Sequence, residues 1–266
     1  MTSEMTGRGD RSNYGKGSEP LRVGRFEVRA IVDGEGTFAT VAEAFPALAG
    51  RTEDWWLPIQ VVLIRSPDVV ALVDTGLGPQ PRDFMPAAAS HLLRELEPEA
   101  VDLVVHTHLH VDHVGWDGVF PRARYVVHRN DWSFFMAPWQ IRVRPHLQRL
   151  EPLQEQGLVD LVGGETEVAV GVRVLPSPGH TPGHVHVRVE DGDAAAVVLG
   201  DVVVHEAQLG DPSLVYVSDG DVQAAAETRS RVLGEAADER VPVIAAHFHG
   251  IGRIDRAGDG FSWTQL

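Results

Sequence analysis

"VVHTHLHVDHVGW", residues 104–116, is the stretch on which the reading of this chain turns. It closes an apolar run, "VDLVVHTH" (101–108), and then places His108, His110, Asp112 and His113 within six positions. The run predicts a buried strand, and a loop that leaves a buried strand is held in position by it, which is where sites are built. His108 and His110 are one residue apart, so in an extended segment their side chains point the same way. Asp112 and His113 continue around a turn that Gly115 helps to close. Imidazole and carboxylate donors of this kind suit Zn²⁺, and also Fe, Mn or Co. The competing reading is a histidine-rich surface loop. Four donors at the mouth of a buried strand weigh against it.

Composition narrows the field. With 266 residues the chain has room for one large α/β domain or two small ones. It is 43% hydrophobic but lacks an uninterrupted apolar run long enough to span a bilayer, so a soluble globular protein is expected. It has no cysteine, which excludes disulfides, thiolate ligands and Cys nucleophiles, and a cytoplasmic location is the simplest expectation. The net charge of −15 weighs against nucleic acid and anionic membranes as partners, because phosphate backbones are bound by clustered Lys and Arg. The first twenty residues, "MTSEMTGRGDRSNYGKGSEP", are Gly- and Ser-rich without an apolar core. They are expected to be a disordered tail rather than a signal peptide or anchor, and the Arg8-Gly9-Asp10 tripeptide is read as chance. No linker divides 21–266, so a single domain is expected there.

Strands and helices alternate along that domain. "VVLIRSPDVVALVDTG" (61–76) reads as a hairpin around Ser-Pro-Asp. "PAAASHLLRELEP" (86–98) reads as a helix stopped by Pro98, and "ARYVVHRNDW" (123–132) as a strand running into a helix. Residues 145–157 read as helical to Gly157, and 221–241 as an amphipathic helix. "EVAVGVRVLPSPGH", "VHVRVE", "AAAVVLGD" and "VPVIAAHFHG" read as strands. The expected architecture is a sheet-rich core with helices on its outer faces.

Three of those strands end on further donors. "SPGHTPGH" (177–184) places His180 and His184 in a loop stiffened by Pro and Gly, "VVLGD" ends on Asp201, and "VIAAHFHG" carries His247. With these segments the sequence resembles the metallo-β-lactamase-fold hydrolases. Their signature is His-x-His-x-Asp-His, then a distant His in a Gly-His-Thr-Pro-Gly-His-like loop, then an Asp, then a last His. The order and approximate spacing hold from about residue 21 to the end of the chain. The resemblance implies an α/β fold of the αββα four-layer sandwich type, with two divalent metal ions at one edge, foremost Zn²⁺. One ion would take His108, His110 and His180, the other Asp112, His113 and His247, and Asp201 would bridge them. Two divalent ions carry +4, two carboxylates −2 and a bridging hydroxide −1, so the site would keep positive charge for a developing oxyanion.

Within that superfamily, "GDVVVHEAQLGDPSL" and the segments after it look closest to the acyl-homoserine lactonase and methyl-parathion-hydrolase branch. The implied function is a dinuclear hydrolase that uses the bridging hydroxide on a lactone or ester, a small-molecule substrate; a homodimer is compatible with it. Phosphotriesterase and thioesterase activities are alternatives on the same fold, and a di-iron redox or non-catalytic metal-binding protein is the alternative of another class. The acidic surface argues against the nucleases of the superfamily. His110 stands where the di-iron oxidoreductases usually have Glu. Many of the lactonases carry Tyr three residues after the bridging Asp, but this chain has Val204, with His205 next. Asp112 and His205 are therefore the candidate catalytic residues, for proton shuttling and for donation to the leaving group. Asp74 and His184 are expected to support the ligands from behind. His249 is a rival to His247, and His91, His128 and His146 lack donor neighbours in sequence. The aromatic segment 132–139 reads as core, with a cap over an apolar pocket as the alternative. Arg142 and Arg144 read as solvated, with an anionic substrate group as the alternative.

Overall fold

The computed structural model describes residues 18–78 and 92–266. All but the last three residues of the expected tail, and residues 86–91 of the expected helix with His91, lie outside the described residues. Among the described residues the chain forms two sheets of seven strands, each laid down in sequence order. The first holds β1 (Leu21–Val23), β2 (Phe26–Thr40), β3 (Asp54–Arg65), β4 (Val70–Val73), β5 (Leu103–Val105), β6 (Arg124–His128) and β7 (Val159–Val162). The second holds β8 (Thr166–Ala169), β9 (Val172–Pro176), β10 (Val185–Asp191), β11 (Ala194–Gly200), β12 (Pro242–Ala245), β13 (Gly252–Ala257) and β14 (Gly260–Gln265). Pairing is parallel from β4 to β7 and between β11 and β12, and antiparallel elsewhere.

The period-2 alternation of strand side chains builds the layers. In β3, Val62 and Ile64 face the second sheet and pack with Val174, Val187 and Val198. Their neighbours Val61 and Leu63 face outward, against Trp132, Phe135, Leu150 and Leu153. In β11, Val198 points inward while Val197 and Leu199 point out to Val232, Leu233 and Ala236. Strands covered on both faces read as continuous apolar runs, which is why "LVV" of β5 and "AVVL" of β11 are legible in the sequence.

The outer layers are helices. After α1 (Val41–Ala44), the first sheet is covered by α2 (Leu92–Glu95), α3 (Arg129–Phe135), α4 (Pro138–Val143) and α5 (Leu150–Glu155). The second is covered by α6 (Ala207–Gly210) and α7 (Val222–Glu239). The expected αββα sandwich is the observed one.

Two differences from the sequence reading have local causes. Residues 145–157 form a 3₁₀ turn, Pro145–Arg149, followed by α5, rather than one helix; each proline removes an N–H and sits in the opening turn of its own piece. The strands β1, β2 and β7 and the closing hairpin β13–β14 were not anticipated. β2 hides its nature because Asp33-Gly34-Glu35-Gly36 reads as a turn, whereas the structure absorbs the punctuation in register shifts at 32/34 and 37/40 against β3.

Both sheets deliver strand ends to one edge. The Gln60 N–H of β3 donates to Ala246 O at 2.9 Å, just beyond β12, and the Val185 N–H of β10 donates to Thr107 O at 2.9 Å, just beyond β5. Backbone bonds between the sheets thereby tie the segment after β5 to the start of β10 and the segment after β12 to β3.

Candidate metal centre

The donor residues leave strand ends in sequence. Asp74 follows β4, His108 to His113 follow β5, His180 lies in the β9–β10 loop, Asp201 follows β11 and His247 follows β12. Ligand-type atoms of these residues converge in three overlapping groups: His108, His110 and His180; His108, His113 and Asp201; and Asp112, His113 and His247, each within 4.8 Å. All seven residues that the sequence analysis singled out as ligands are thus brought together.

Asp201 faces both ends of the cluster. Its Oδ2 lies 3.2 Å from His180 Nε2 and 3.8 Å from His108 Nε2. Its Oδ1 lies 3.4 Å from His113 Nε2 and 3.3 Å from His247 Nε2. Asp112 Oδ2 completes the second end, 3.8 Å from His113 Nε2 and 3.7 Å from His247 Nε2. At the first end, His110 Nδ1 lies 3.0 Å from both His108 Nε2 and His180 Nε2.

A histidine presents a lone pair to a cation only if its other nitrogen keeps the proton, and the nitrogen that keeps it is set by that atom's partner. For four of the five rings the partner is present. His113 Nδ1 is 2.7 Å from Asp74 Oδ2, His180 Nδ1 is 3.1 Å from Asp219 Oδ1, His247 Nδ1 is 3.0 Å from Pro58 O, and His108 Nδ1 is 3.1 Å from Thr107 Oγ1. Each contact turns the ring's Nε2 toward the cluster.

Three observations fit divalent cations to this set. His113 Nε2 and Asp201 Oδ1 are buried and have no hydrogen-bond partner among the described residues. Burial, reinforced by the neighbouring imidazoles, holds His108 and His110 well below the ordinary histidine value, so both rings are neutral and can donate a lone pair. Burial lowers His113 as well, but Asp201, Asp74 and Asp112 outweigh it and raise the ring to about 10, so this end of the cluster calls for positive charge. The donors are all nitrogen and oxygen, which suits Zn²⁺ with Mn, Fe or Co as alternatives.

Asp74 anchors the metal loop. It has φ of +62°, a costly conformation for a non-glycine residue, and its bonds determine it: Thr107 N–H donates to Oδ1 at 2.7 Å and Thr107 Oγ1–H to Oδ2 at 2.8 Å. Burial raises this carboxyl, but His113 and His106 outweigh burial and hold it at about 2. His106, not singled out from sequence, lies behind it, with Nε2 3.1 Å from Asp117 Oδ1. His184 Nε2 accepts from Asp201 N–H at 3.0 Å, which fixes the backbone of the two-sided carboxylate. His249 faces Glu35 Oε1 at 3.6 Å and is 56% exposed, so it points elsewhere. His128 caps α3, accepting from Asn130 N–H at 3.3 Å.

His205 leaves the cluster's immediate surroundings. It packs on Phe45 and Trp55, with ring centroids 5.1 and 5.6 Å away, and Nδ1 accepts from Ala207 N–H at 3.0 Å. Among the described residues it makes no hydrogen bond to the seven donors. It does line a cavity of about 310 Å³ that His247 also lines. Burial lowers its pKa, so the neutral ring carries its proton on Nε2.

Sequence reasoning missed Asp219, Arg229 and Tyr216. Arg229 of α7 is only 2% exposed, and its guanidinium donates to Val202 O at 2.8 Å, Pro212 O at 2.7 Å and Asp219 Oδ2 at 3.2 Å. It therefore ties the segment after Asp201 to the carboxylate that turns His180. No local signal marks an arginine on an amphipathic helix for such a role. Removing one member of a buried pair strands the other, so Arg229→Met is expected to cost about 3–5 kcal/mol of stability. Urea unfolding reads this, and a midpoint equal to that of the parent chain would contradict it. Tyr216 stacks on His180, at 6.0 Å between centroids and 5° between planes, and burial raises its phenol so that it stays protonated.

A family model described as "Metallo-beta-lactamase superfamily" matches residues 54–260. Among curated proteins, "N-acyl homoserine lactonase AiiA" of Bacillus thuringiensis subsp. kurstaki is 28% identical over 106 residues, 39% of this chain, and the match spans only 38% of that lactonase. Among solved structures, "AidC, a Dizinc Quorum-Quenching Lactonase" superimposes with a TM-score of 0.81 at 17% identity, over 94% of this chain and 97% of that one. The "hydrolase AbOPH in beta lactamase superfamily" gives a TM-score of 0.81 at 24% identity, over 94% and 97%. At these identities the structural likeness is one of fold.

Proposed function

Since this chain belongs to the metallo-beta-lactamase superfamily, we propose that it is a dinuclear metal-dependent hydrolase acting on a small lactone or ester. The observation that carries this reading is Asp201, whose two oxygens face two separate donor groups. His108, His110 and His180 would hold one ion, Asp112, His113 and His247 the other, and Asp201 both; the nitrogen and oxygen donors favour Zn²⁺. Two such cations supply a Lewis acid for a carbonyl oxygen and lower the pKa of water enough to provide hydroxide at neutral pH. The lactonase relative and the lactonase neighbour support a cyclic or open ester as the substrate.

The remaining work falls to the chain's own side chains. Asp74, Asp219 and Pro58 O hold three of the rings in the donor tautomer. Asp112, 17% exposed and lining the cavity at the cluster, can take a proton from water and pass it to a departing alkoxide. His205, which lines a cavity together with His247, is the candidate donor to the leaving group through Nε2–H. His205→Ala is expected to lower turnover about tenfold with metal content unchanged. Unaltered turnover on the best substrate would remove His205 from the reaction.

The reading as a whole is tested by offering lactones, aryl esters, thioesters and phosphotriesters to the metal-loaded protein. Lactone or ester turnover that disappears in Asp201→Ala is the expected result. Turnover of phosphotriesters or thioesters alone would move the substrate class, and no turnover of any of them with both metals bound would overturn the hydrolase reading.

A further inference from the structure

Two cavities meet at the donor cluster. One, of about 190 Å³, is walled by His110, Asp112, His180, Asp201 and Tyr216. The other, of about 560 Å³, starts at His110 and His180 and continues between Phe134, Phe135, Pro178 and Ala224. Arg144 lines both.

Its guanidinium is held in place there. The guanidinium carbon lies 5.8 Å from the centroid of the Phe135 ring, which itself packs edge-on against His110 at 5.4 Å. Nη1–H donates to Gln140 Oε1, and Gln140 is fully buried. With Nη1 so engaged, the edge formed by Nε–H and Nη2–H remains, and its two parallel donors match the two oxygens of a carboxylate.

Among the described residues no carboxylate pairs with Arg144. That distinguishes it from Arg124, Arg188, Arg229 and Arg256, which meet Asp160, Glu239, Asp219 and Asp238. This one faces the cavity instead. The apolar walls beyond it take the non-polar part of a ligand, and a cation on the rim of an apolar cavity selects an amphipathic one.

We propose that Arg144 binds a carboxylate of the substrate, so that the ester or lactone this protein hydrolyses carries both an apolar arm and an anionic group near its scissile carbonyl. The substrate class rests on the hydrolase reading; the carboxylate site does not. With the ester centred on Asp201 and Asp112, the apolar arm lies along Phe134 and Phe135, and the carboxylate turns back to the Nε–Nη2 edge of Arg144.

Two measurements test this, on metal-loaded wild type, Arg144→Gln and Arg144→Lys. The first compares mono-4-nitrophenyl glutarate with 4-nitrophenyl pentanoate, esters of equal acyl length that differ in one carboxylate. Wild type is expected to favour the glutarate, and Arg144→Gln to lower the glutarate-to-pentanoate ratio of kcat/KM roughly tenfold, mainly through KM of the glutarate. Arg144→Lys should restore part of the ratio. Equal losses on both esters, or a wild-type preference for pentanoate, would overturn the proposal. The second is calorimetric binding of N-hexylglutaramate and N-hexylpentanamide, which needs no turnover. Tighter binding of the carboxylate amide by wild type, lost in Arg144→Gln, supports the site even if no ester is hydrolysed, in which case only the hydrolase reading fails. Equal binding of the two amides by wild type overturns the carboxylate site whatever the esters show.

Discussion

Asp201→Ala is expected to lower turnover by about 10³-fold or more and to release at least one metal. Among the described residues the carboxylate is the one side chain with an oxygen toward each donor group, 3.2 Å from His180 on one side and 3.3 Å from His247 on the other. Removing it would leave two like-charged ions facing each other with less negative charge between them. The fold should survive, because the Asp201 N–H that donates to His184 Nε2 is a backbone group kept by alanine, and the carboxylate contributes no apolar contact to the core. Circular dichroism should therefore match the parent while elemental analysis and turnover both fall. A mutant that keeps two metals and near-normal activity would refute the bridging role.

Metal content is the second result with a large expected effect. Protein loaded with Zn²⁺ or Mn²⁺ and then freed of excess should carry about two ions per chain, and prolonged chelation should abolish activity until metal is restored. Because the ions bind only the folded arrangement, loading should also raise stability, by about 4 kcal/mol for each occupied site when free metal exceeds that site's dissociation constant a thousandfold. One ion or none after loading, or full activity after chelation, would contradict the dinuclear reading. In the protein as purified, before loading, absence of colour would weigh against iron, whereas a visible band with redox activity would point to it.

Much of this was legible in the sequence, and the reason is local. His108, His110, Asp112 and His113 sit within six positions, so their proximity is covalent before it is tertiary. The strands that carry them are buried on both faces, and such strands leave uninterrupted apolar runs that can be read without a partner. β2 was illegible for the opposite reason, since its glycines punctuate the sequence while the bulges that absorb them exist only against β3.

The supporting residues belong to the tertiary structure alone. Asp219 turns His180 from 39 positions away, Pro58 O turns His247 from 189 positions away, and Arg229 reaches Asp219 from the middle of a helix. An aspartate, a proline carbonyl and a helical arginine carry no pattern that marks them, because their role depends on which atoms the two sheets bring to a shared edge. Arg144 illustrates the same division. In sequence it is one of several arginines in a polar stretch, and only the fold leaves its guanidinium on Phe135, beside His110, with no acidic partner among the described residues. The sequence by itself determined the donors and the strands that present them, because both are encoded in near neighbours. The tertiary structure decided the orientation of each ring and the shape of the cavity, because those depend on contacts between segments far apart in the chain.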